Sequence, residues 1–275
     1  MVSLVCRPRR VRPETEIATV TSPPYYRHRD YHVAGQIGQE RSLTEYLSRI
    51  GQVLQELLRV TDDVGSCFLV VGDTYAQGRL LLVPHRIGII ASDIGWTVRN
   101  DIIWRKASPT PENPGNRWRL SHEHVLFLTK RPRGYRFTSD VLRVPYAEET
   151  LRRWGAGQAY GGRKSKNRRN ARDSRMRDGR VFALNPKGCI PTDVWSFGAA
   201  NTSAAHYAAF PSHIVTSLID ACSSEDDLVL DPFAGSGTTC VVAAKLGRRC
   251  LGIELNPEYV EMARAALTEI FSGAA

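Results

Sequence analysis

The stretch Asp227–Leu255, DLVLDPFAGSGTTCVVAAKLGRRCLGIEL, changes its hydropathy period twice. DLVLDPFAG reads as a short strand that runs into a glycine turn. SGTTCVVAAKLG reads as a helix closed by Gly247, and RCLGIEL (Arg249–Leu255) as a second strand. This is a β-α-β frame. In it, Gly235 and Gly237 let the backbone approach a ligand closely, and the following helix start presents free N–H groups. Glu254 ends the second strand 23 residues after Asp231. A carboxylate at that place can accept hydrogen bonds from both hydroxyls of a ribose. The phosphate-binding pattern G-x-x-x-x-G-K-S/T is missing, and so is the third glycine of G-x-G-x-x-G. A small zwitterionic nucleoside therefore fits the turn better than ATP or a dinucleotide.

On either side of this stretch, strand and helix patterns keep alternating. EIATVTS (Glu16–Ser22) reads as a buried strand. Ser42–Val60 has apolar residues at helical spacing, with Ser42 and Glu45 as a capping box, and SCFLVVGD (Ser66–Asp73) is a continuous apolar strand. GRLLLVPHRIGIIASDIG predicts a helix loosened near Pro84. Trp96–Lys106 and Ser121–Lys130 predict two more strands, Pro211–Cys222 a helix, and the residues after Leu255 a last helix capped by Asn256 with Pro257 at its first position. The fold class expected is α/β, a doubly wound, mostly parallel sheet. Periodicity fades from Arg131 to about Pro191, which reads as an insertion. The expected organisation is therefore 1–130, an inserted 131–191, and 192–275.

The chain of 275 residues carries a net charge of +9. RKSKNRRNARDSRMRDGR (residues 163–180) holds nine basic and two acidic residues, so this one block supplies seven of the nine net charges. Its Arg, Asn and Ser content suits phosphate and base-edge contacts, which favours nucleic acid over a merely solvated loop. No apolar run approaches the ~20 residues of a membrane span, and MVSLVCRPRRVRPETE is too poor in apolar residues for a secretory signal, so a cytoplasmic protein is expected. The six cysteines are far apart with no C-x-x-C pair, which predicts reduced, mostly buried thiols. His122 and His124, two apart on a strand, can present two imidazoles from one face. With no third ligand in view, no metal is expected.

TVTSPPYY (Thr19–Tyr26) puts two prolines after a serine at the end of the first strand. By itself Ser-Pro-Pro is a helix N-cap followed by proline in the first turn. TSPPYY together with DPFAGSGTT resembles the β-group amino-methyltransferases of DNA, in which the catalytic S/D/N-P-P-Y motif precedes the cofactor turn in a circularly permuted order. NRWRLSHEHVLFLTK (Asn116–Lys130) and the stretch from His206 to Ala263 are similar to further parts of that family, whereas residues 131–191 match nothing general. The resemblance implies a Rossmann-like class I methyltransferase with S-adenosylmethionine as cofactor. It implies a catalytic half in 1–130, a target-recognition region in 131–191 and a cofactor half in 192–275.

The resemblance also implies roles. Ser22 Oγ and the Pro23 carbonyl would accept from the N–H groups of an exocyclic amine, Pro24 would keep the corner rigid, and Tyr25 would stack on a base extruded from the duplex. Asp231, Phe233, Gly235, Ser236, Gly237, Thr238 and Glu254 match the cofactor turn and ribose acid, and Phe210 and Pro211 the segment flanking the methionine moiety. Serine at the first motif position is associated in the family with cytosine N4, and adenine N6 is the alternative. A non-catalytic DNA-binding protein on the same scaffold is a second alternative. No cysteine stands in a Pro-Cys context, which argues against methylation at cytosine carbon 5. Relatives carry a strand and an acidic residue before the P-P-Y motif. Here only sixteen residues precede Ile17, so a short edge strand, or none, is expected.

The expected partners are double-stranded DNA, a cognate restriction endonuclease and a second copy of the chain, with no membrane, in the nucleoid of a bacterium or archaeon. DNA contacts are expected from Arg163, Lys164, Lys166, Arg168, Arg169, Arg172 and Arg175, and from Trp118 beside Arg117 and Arg119. Trp104, Trp118, Trp154 and Trp195 read as core before they read as base-stacking residues, and Trp118 is the one whose arginine neighbours suit DNA.

Overall fold

Capping and periodicity account for the long first helix. Ser42 Oγ accepts from Glu45 N–H while the Glu45 carboxylate accepts from Ser42 N–H, so the helix starts where the sequence says it should. Its stripe of Tyr46, Leu47, Ile50, Leu54 and Leu57 is buried, and each fully buried leucine stabilises by roughly 1.5–3 kcal/mol. The structure is a computed structural model that describes residues 2–6, 17–109, 111–154, 184–197 and 211–272. Its strands are β1 (Val2–Cys6), β2 (Ile17–Thr21), β3 (Ser66–Val71), β4 (Tyr75–Ala76), β5 (Arg79–Leu80), β6 (Thr97–Lys106), β7 (His122–Thr129), β8 (Val194–Phe197), β9 (Leu228–Asp231) and β10 (Arg249–Glu254). Its helices are α1 (Leu43–Val60), α2 (Val83–Ile94), α3 (Glu148–Trp154), α4 (Ser212–Cys222), α5 (Thr238–Lys245) and α6 (Pro257–Ser272).

The chain divides into two compact units, one of Met1–Thr138 with Thr192–Ala275 and one of Ser139–Pro191. In the larger unit eight strands form one sheet in the order β1-β10-β9-β2-β3-β7-β6-β8. All run the same way except β1 and β7, which are antiparallel to their neighbours. The sheet is Rossmann-like. On one face α1 and α2 cover Leu69, Val71, Leu126 and Leu128. Helix α4 packs on β2, and α5 on β9 and β10. The edge strand β1 is short, five residues set against β10.

Two local expectations change. Helix α2 starts at Val83, so Pro84 lies in its first turn, where a missing N–H costs no helical bond, and the helix is not loosened there. Cys240 on α5 and Cys250 on β10 form a disulfide, their Cα atoms 5.2 Å apart, where only reduced thiols were expected. The pair is ten positions apart with no C-x-x-C signature, and the α5–β10 crossover brings the two together. Cys67, Cys189 and Cys222 are free.

In the smaller unit a bridge pairs Val144 with Cys189. Asp140 holds Lys187 at 2.7 Å and Arg143 at 2.8 Å, and those two cations pull its carboxyl down to about 2. Among the described residues no helix is long and apolar enough to cross a membrane.

Candidate active site

Strands β2 and β9 are parallel neighbours in the register Ala18↔Val229 and Thr19↔Leu230. Their carboxyl ends therefore release the chain on the same edge, Ser22 from one and Pro232 from the other. Thr21 Oγ1 donates to Asp231 Oδ1 at 2.6 Å, and both residues are buried. Thr239 Oγ1 donates to the Val20 carbonyl at 3.4 Å, tying the first turn of α5 to β2. The corner Ser22–Tyr25 and the turn Asp231–Gly237, more than 200 positions apart, thus meet where helices change sides of the sheet. That is the usual ligand crevice of an open α/β fold.

The glycine turn is built by its own backbone and by one acid. Ala234 N–H donates to Ile253 O at 3.0 Å and Gly237 N–H to Ala234 O at 2.8 Å. Gly237 has φ +86°, and a Cβ there would lie 2.7 Å from Ala263 Cβ, so α6 packs against bare backbone. Glu254 Oε2 accepts from Gly235 N–H at 2.8 Å, while Oε1 accepts from Leu255 N–H and Asn256 N–H at 2.8 and 2.7 Å. Glu254, which the sequence reading assigned to a ribose, organises the turn and the start of α6.

Asp231 also accepts from Phe233 N–H at 3.0 Å. Burial nevertheless pushes its carboxyl up to about 6, against the hydrogen bonds from Thr21, Thr239 and Phe233. A cationic ligand placed here would be favoured by that carboxylate. Around Gly235 a Cβ would meet nothing within 4 Å, so the turn opens on free space. An acid beneath, an acid at the next strand end and an open glycine turn between them fit a cationic nucleoside such as S-adenosylmethionine. Tyr31 reaches the same end of the sheet. Its ring meets Tyr259 edge-on at 6.2 Å, and burial pushes its hydroxyl up, Arg29 opposing and Glu254 adding to the rise.

The Ser-Pro-Pro corner is held from three sides. Tyr46 OH donates to the Pro24 carbonyl at 3.0 Å. Tyr25 OH donates to Glu123 Oε2 at 2.7 Å, and Ser22 Oγ lies 3.4 Å from the same Tyr25 oxygen. Glu123 is in turn paired with Lys106 at 2.5 Å. Burial above all, and then the Glu123 charge, push the Tyr25 hydroxyl well above the usual tyrosine range. The ring of Tyr25 lies against Gly72, where a Cβ would come within 2.7 Å of Tyr25 Cε2.

Gly72→Ala is expected to turn the Tyr25 ring out of place. It should cost about 1–3 kcal/mol of stability as an overpacked site and lower turnover about tenfold or more, because a misplaced positioning group is that expensive. Denaturant unfolding and single-turnover kinetics check the two parts.

Glu123, Lys106, Gly72 and Tyr31 were not singled out as site residues from sequence. Glu123 falls within the predicted strand Ser121–Lys130, and nothing at positions 121–124 signals a partner 98 residues away.

Phe233 is half-buried at the turn, and Pro211 is buried at the start of α4. Ser236 and Thr238 line a groove of about 560 Å³ bounded by α4, α5 and α6. Trp118 is 94 % exposed and Arg119 is exposed. Arg117 pairs with Glu112 and stacks 3.8 Å over the Tyr75 ring. Trp104 is buried, as a core tryptophan should be, whereas Trp118 is exposed and Trp195 only half-buried, so the core reading fails for those two. Phe210 and the basic residues Arg163, Lys164, Lys166, Arg168, Arg169, Arg172 and Arg175 lie outside the described residues.

A Rossmann-like sheet with a Ser-Pro-Pro corner and an acid-flanked glycine turn at one crevice is the architecture of class I methyltransferases. Comparison with known proteins gives the family. The model of the DNA methylase family N6_N4_Mtase matches residues 18–265, and the chain belongs to this family, whose cofactor is S-adenosylmethionine. The Type II methyltransferase M.Cfr9I of Citrobacter freundii is 31 % identical over 273 residues, covering 89 % of this chain and 78 % of the other. M.SmaI of Serratia marcescens is 29 % identical over 274 residues, covering 89 % and 82 %. Among solved structures, a putative DNA modification methylase of Thermus thermophilus, complexed with S-adenosyl-L-methionine, is 27 % identical, with a TM-score of 0.57 over 93 % of this chain and 86 % of that one. The PvuII DNA methyltransferase (cytosine-N4-specific) shares the fold at 19 % identity, with a TM-score of 0.64 over 94 % and 85 %.

Proposed function

We propose that this protein methylates the exocyclic N4 of a cytosine swung out of double-stranded DNA, at a specific site. The observation that carries the reading is the Thr21–Asp231 hydrogen bond, which locks the Ser-Pro-Pro corner beside the glycine turn. S-adenosylmethionine, when bound, supplies an electrophilic methyl on a sulfonium whose departure needs no help from the protein. The chain's own work is to hold that ligand and to prepare the amine. Glu254 takes the ribose hydroxyls, and Asp231 offers negative charge to the cationic part. Ser22 Oγ and the Pro23 carbonyl accept the two amine N–H groups and draw the nitrogen lone pair out of conjugation with the ring. Neither proline has an N–H to compete, and Tyr46 and Glu123 brace the corner so that little reorganisation is left to do. Tyr25 offers a flat face for the extruded base.

A hydroxyl rather than a carboxylate at the first motif position supports cytosine as the target. The exposed Trp118 and Arg119, and the net +7 block at 163–180, supply the contacts that DNA needs. In this reading residues 1–130 are the catalytic half, 131–191 the target-recognition region and 192–275 the cofactor half, in circularly permuted order. The Type II designation of M.Cfr9I and M.SmaI supports a place beside a restriction endonuclease.

The test is direct. Mixed-sequence DNA is incubated with the full chain and labelled cofactor, digested to nucleosides, and analysed by mass spectrometry. N4-methylcytosine is the expected product. N6-methyladenine would reassign the base, and DNA binding without any methylated nucleoside would make the chain a DNA-binding protein on this scaffold.

A further inference from the structure

Strand β7 presents its residues alternately to the two faces of the sheet. Glu123 serves the catalytic corner, so His122 and His124 face the other way, toward the side covered by α2. There the fold adds what the i, i+2 spacing lacked. On β6, Ile103 is opposite His124 and Asp101 is opposite Leu126, so Asp101 stands on the same face two residues along. His85, in the first turn of α2, comes down over the pair. His124 is buried, and its Nδ1 lies 2.9 and 3.0 Å from the two Asp101 oxygens. The His85 ring meets the His124 ring at 5.1 Å, tilted by 69°, and the His122 ring lies 5.2 Å from His124. One ligand atom each from His85, Asp101 and His124 lies within 4.8 Å of the other two.

From this juxtaposition we propose that His85, Asp101 and His124 form a binding site for one divalent first-row transition metal ion of the zinc type, separate from the methyl-transfer crevice. Two imidazoles and a carboxylate are a donor set of borderline softness, which suits Zn²⁺, Co²⁺ or Ni²⁺ rather than Mg²⁺ or Ca²⁺. Adjacent ligands of a tetrahedral zinc stand roughly 3.3 Å apart for metal–ligand bonds near 2.0–2.1 Å, so the three groups, now within 4.8 Å of one another, would draw in to close on an ion. Water, or His122 after rotation, completes the shell.

The positive end of α2 would oppose a cation, but it is already countered. Asp73 Oδ1 accepts from Val83 N–H at 3.0 Å and from Thr74 N–H at 2.8 Å, placing a carboxylate at that helix start. Bound there, the ion would pin the first turn of α2 to β6 and β7, the strand whose opposite face carries Glu123.

Chelator-treated full-length protein titrated with Co²⁺ tests this. The expected result is one equivalent bound with visible d–d absorption, displaced by Zn²⁺, together with a rise in Tm on adding Zn²⁺. His85→Ala, at an exposed position that leaves the core intact, should weaken Co²⁺ binding at least about tenfold and abolish the Tm rise, and Asp101→Asn should do likewise. His32→Ala, an exposed histidine beside Asp30, should change nothing. No saturable binding by the unaltered chain would overturn the proposal. So would binding that survives both His85→Ala and Asp101→Asn, or that is lost in His32→Ala.

Discussion

Ser22→Ala should lower the rate of methyl transfer at least about 100-fold, the scale on which losing one preorganised hydrogen-bonding group at a reacting centre is felt. Affinity for S-adenosylmethionine should stay within about twofold, because the hydroxyl acts on the amine and not on the cofactor. The variant should fold normally. Ser22 Oγ makes only a long 3.4 Å contact with Tyr25 OH, while the corner is braced through Tyr46 and Glu123, which the substitution leaves in place. Single-turnover kinetics at saturating cofactor, set beside calorimetric binding of S-adenosylhomocysteine, separate the two quantities. Equal losses in rate and affinity would remove Ser22 from the role given to it.

Glu254→Ala should act on the other half of the crevice. The acceptor site that three backbone N–H groups leave on Glu254 for a ribose hydroxyl disappears, and a charge-assisted bond there contributes about 1.5–3 kcal/mol. The N–H groups of Gly235, Leu255 and Asn256 also lose their acceptor, so the turn and the start of α6 are no longer held in register. Cofactor Kd should rise about 100-fold or more, with a smaller rise for Glu254→Gln, which keeps one acceptor oxygen. Calorimetry at constant temperature, with a thermal melt of each variant as a folding control, reads both. An unchanged Kd for Glu254→Ala would reject the ribose assignment even if the melt shifted.

The structural basis of these two expectations was only partly open to inspection in the primary sequence. The identity of Ser22 and Glu254 as candidates came from motifs. That Glu254 spends its lone pairs on three backbone N–H groups did not, because a strand-end acid looks the same in sequence whether or not it builds the turn beside it. Arg117 shows the same limit, since nothing in its sequence neighbourhood marks the Glu112 carboxylate and Tyr75 ring that engage it.

Whatever depends on residues a few positions apart is written in the sequence. The capping box of α1, the strand–turn–helix of β9 and α5, Asn256 accepting from Glu258 N–H at the head of α6, and the short apolar strands all follow from periodicity and local hydrogen bonding, and they hold wherever the chain is placed. The tertiary structure alone decided that β2 lies beside β9, so that Thr21 meets Asp231 across 210 positions, and that Glu123 reaches Tyr25 across 98. It also decided that β7 runs against its neighbours, that Cys240 finds Cys250, and that His85 closes over His124 and Asp101. Each of these contacts depends on how crossovers order the strands and on which face a residue emerges from. Those choices are made by burial of the whole sheet, and no local pattern encodes them.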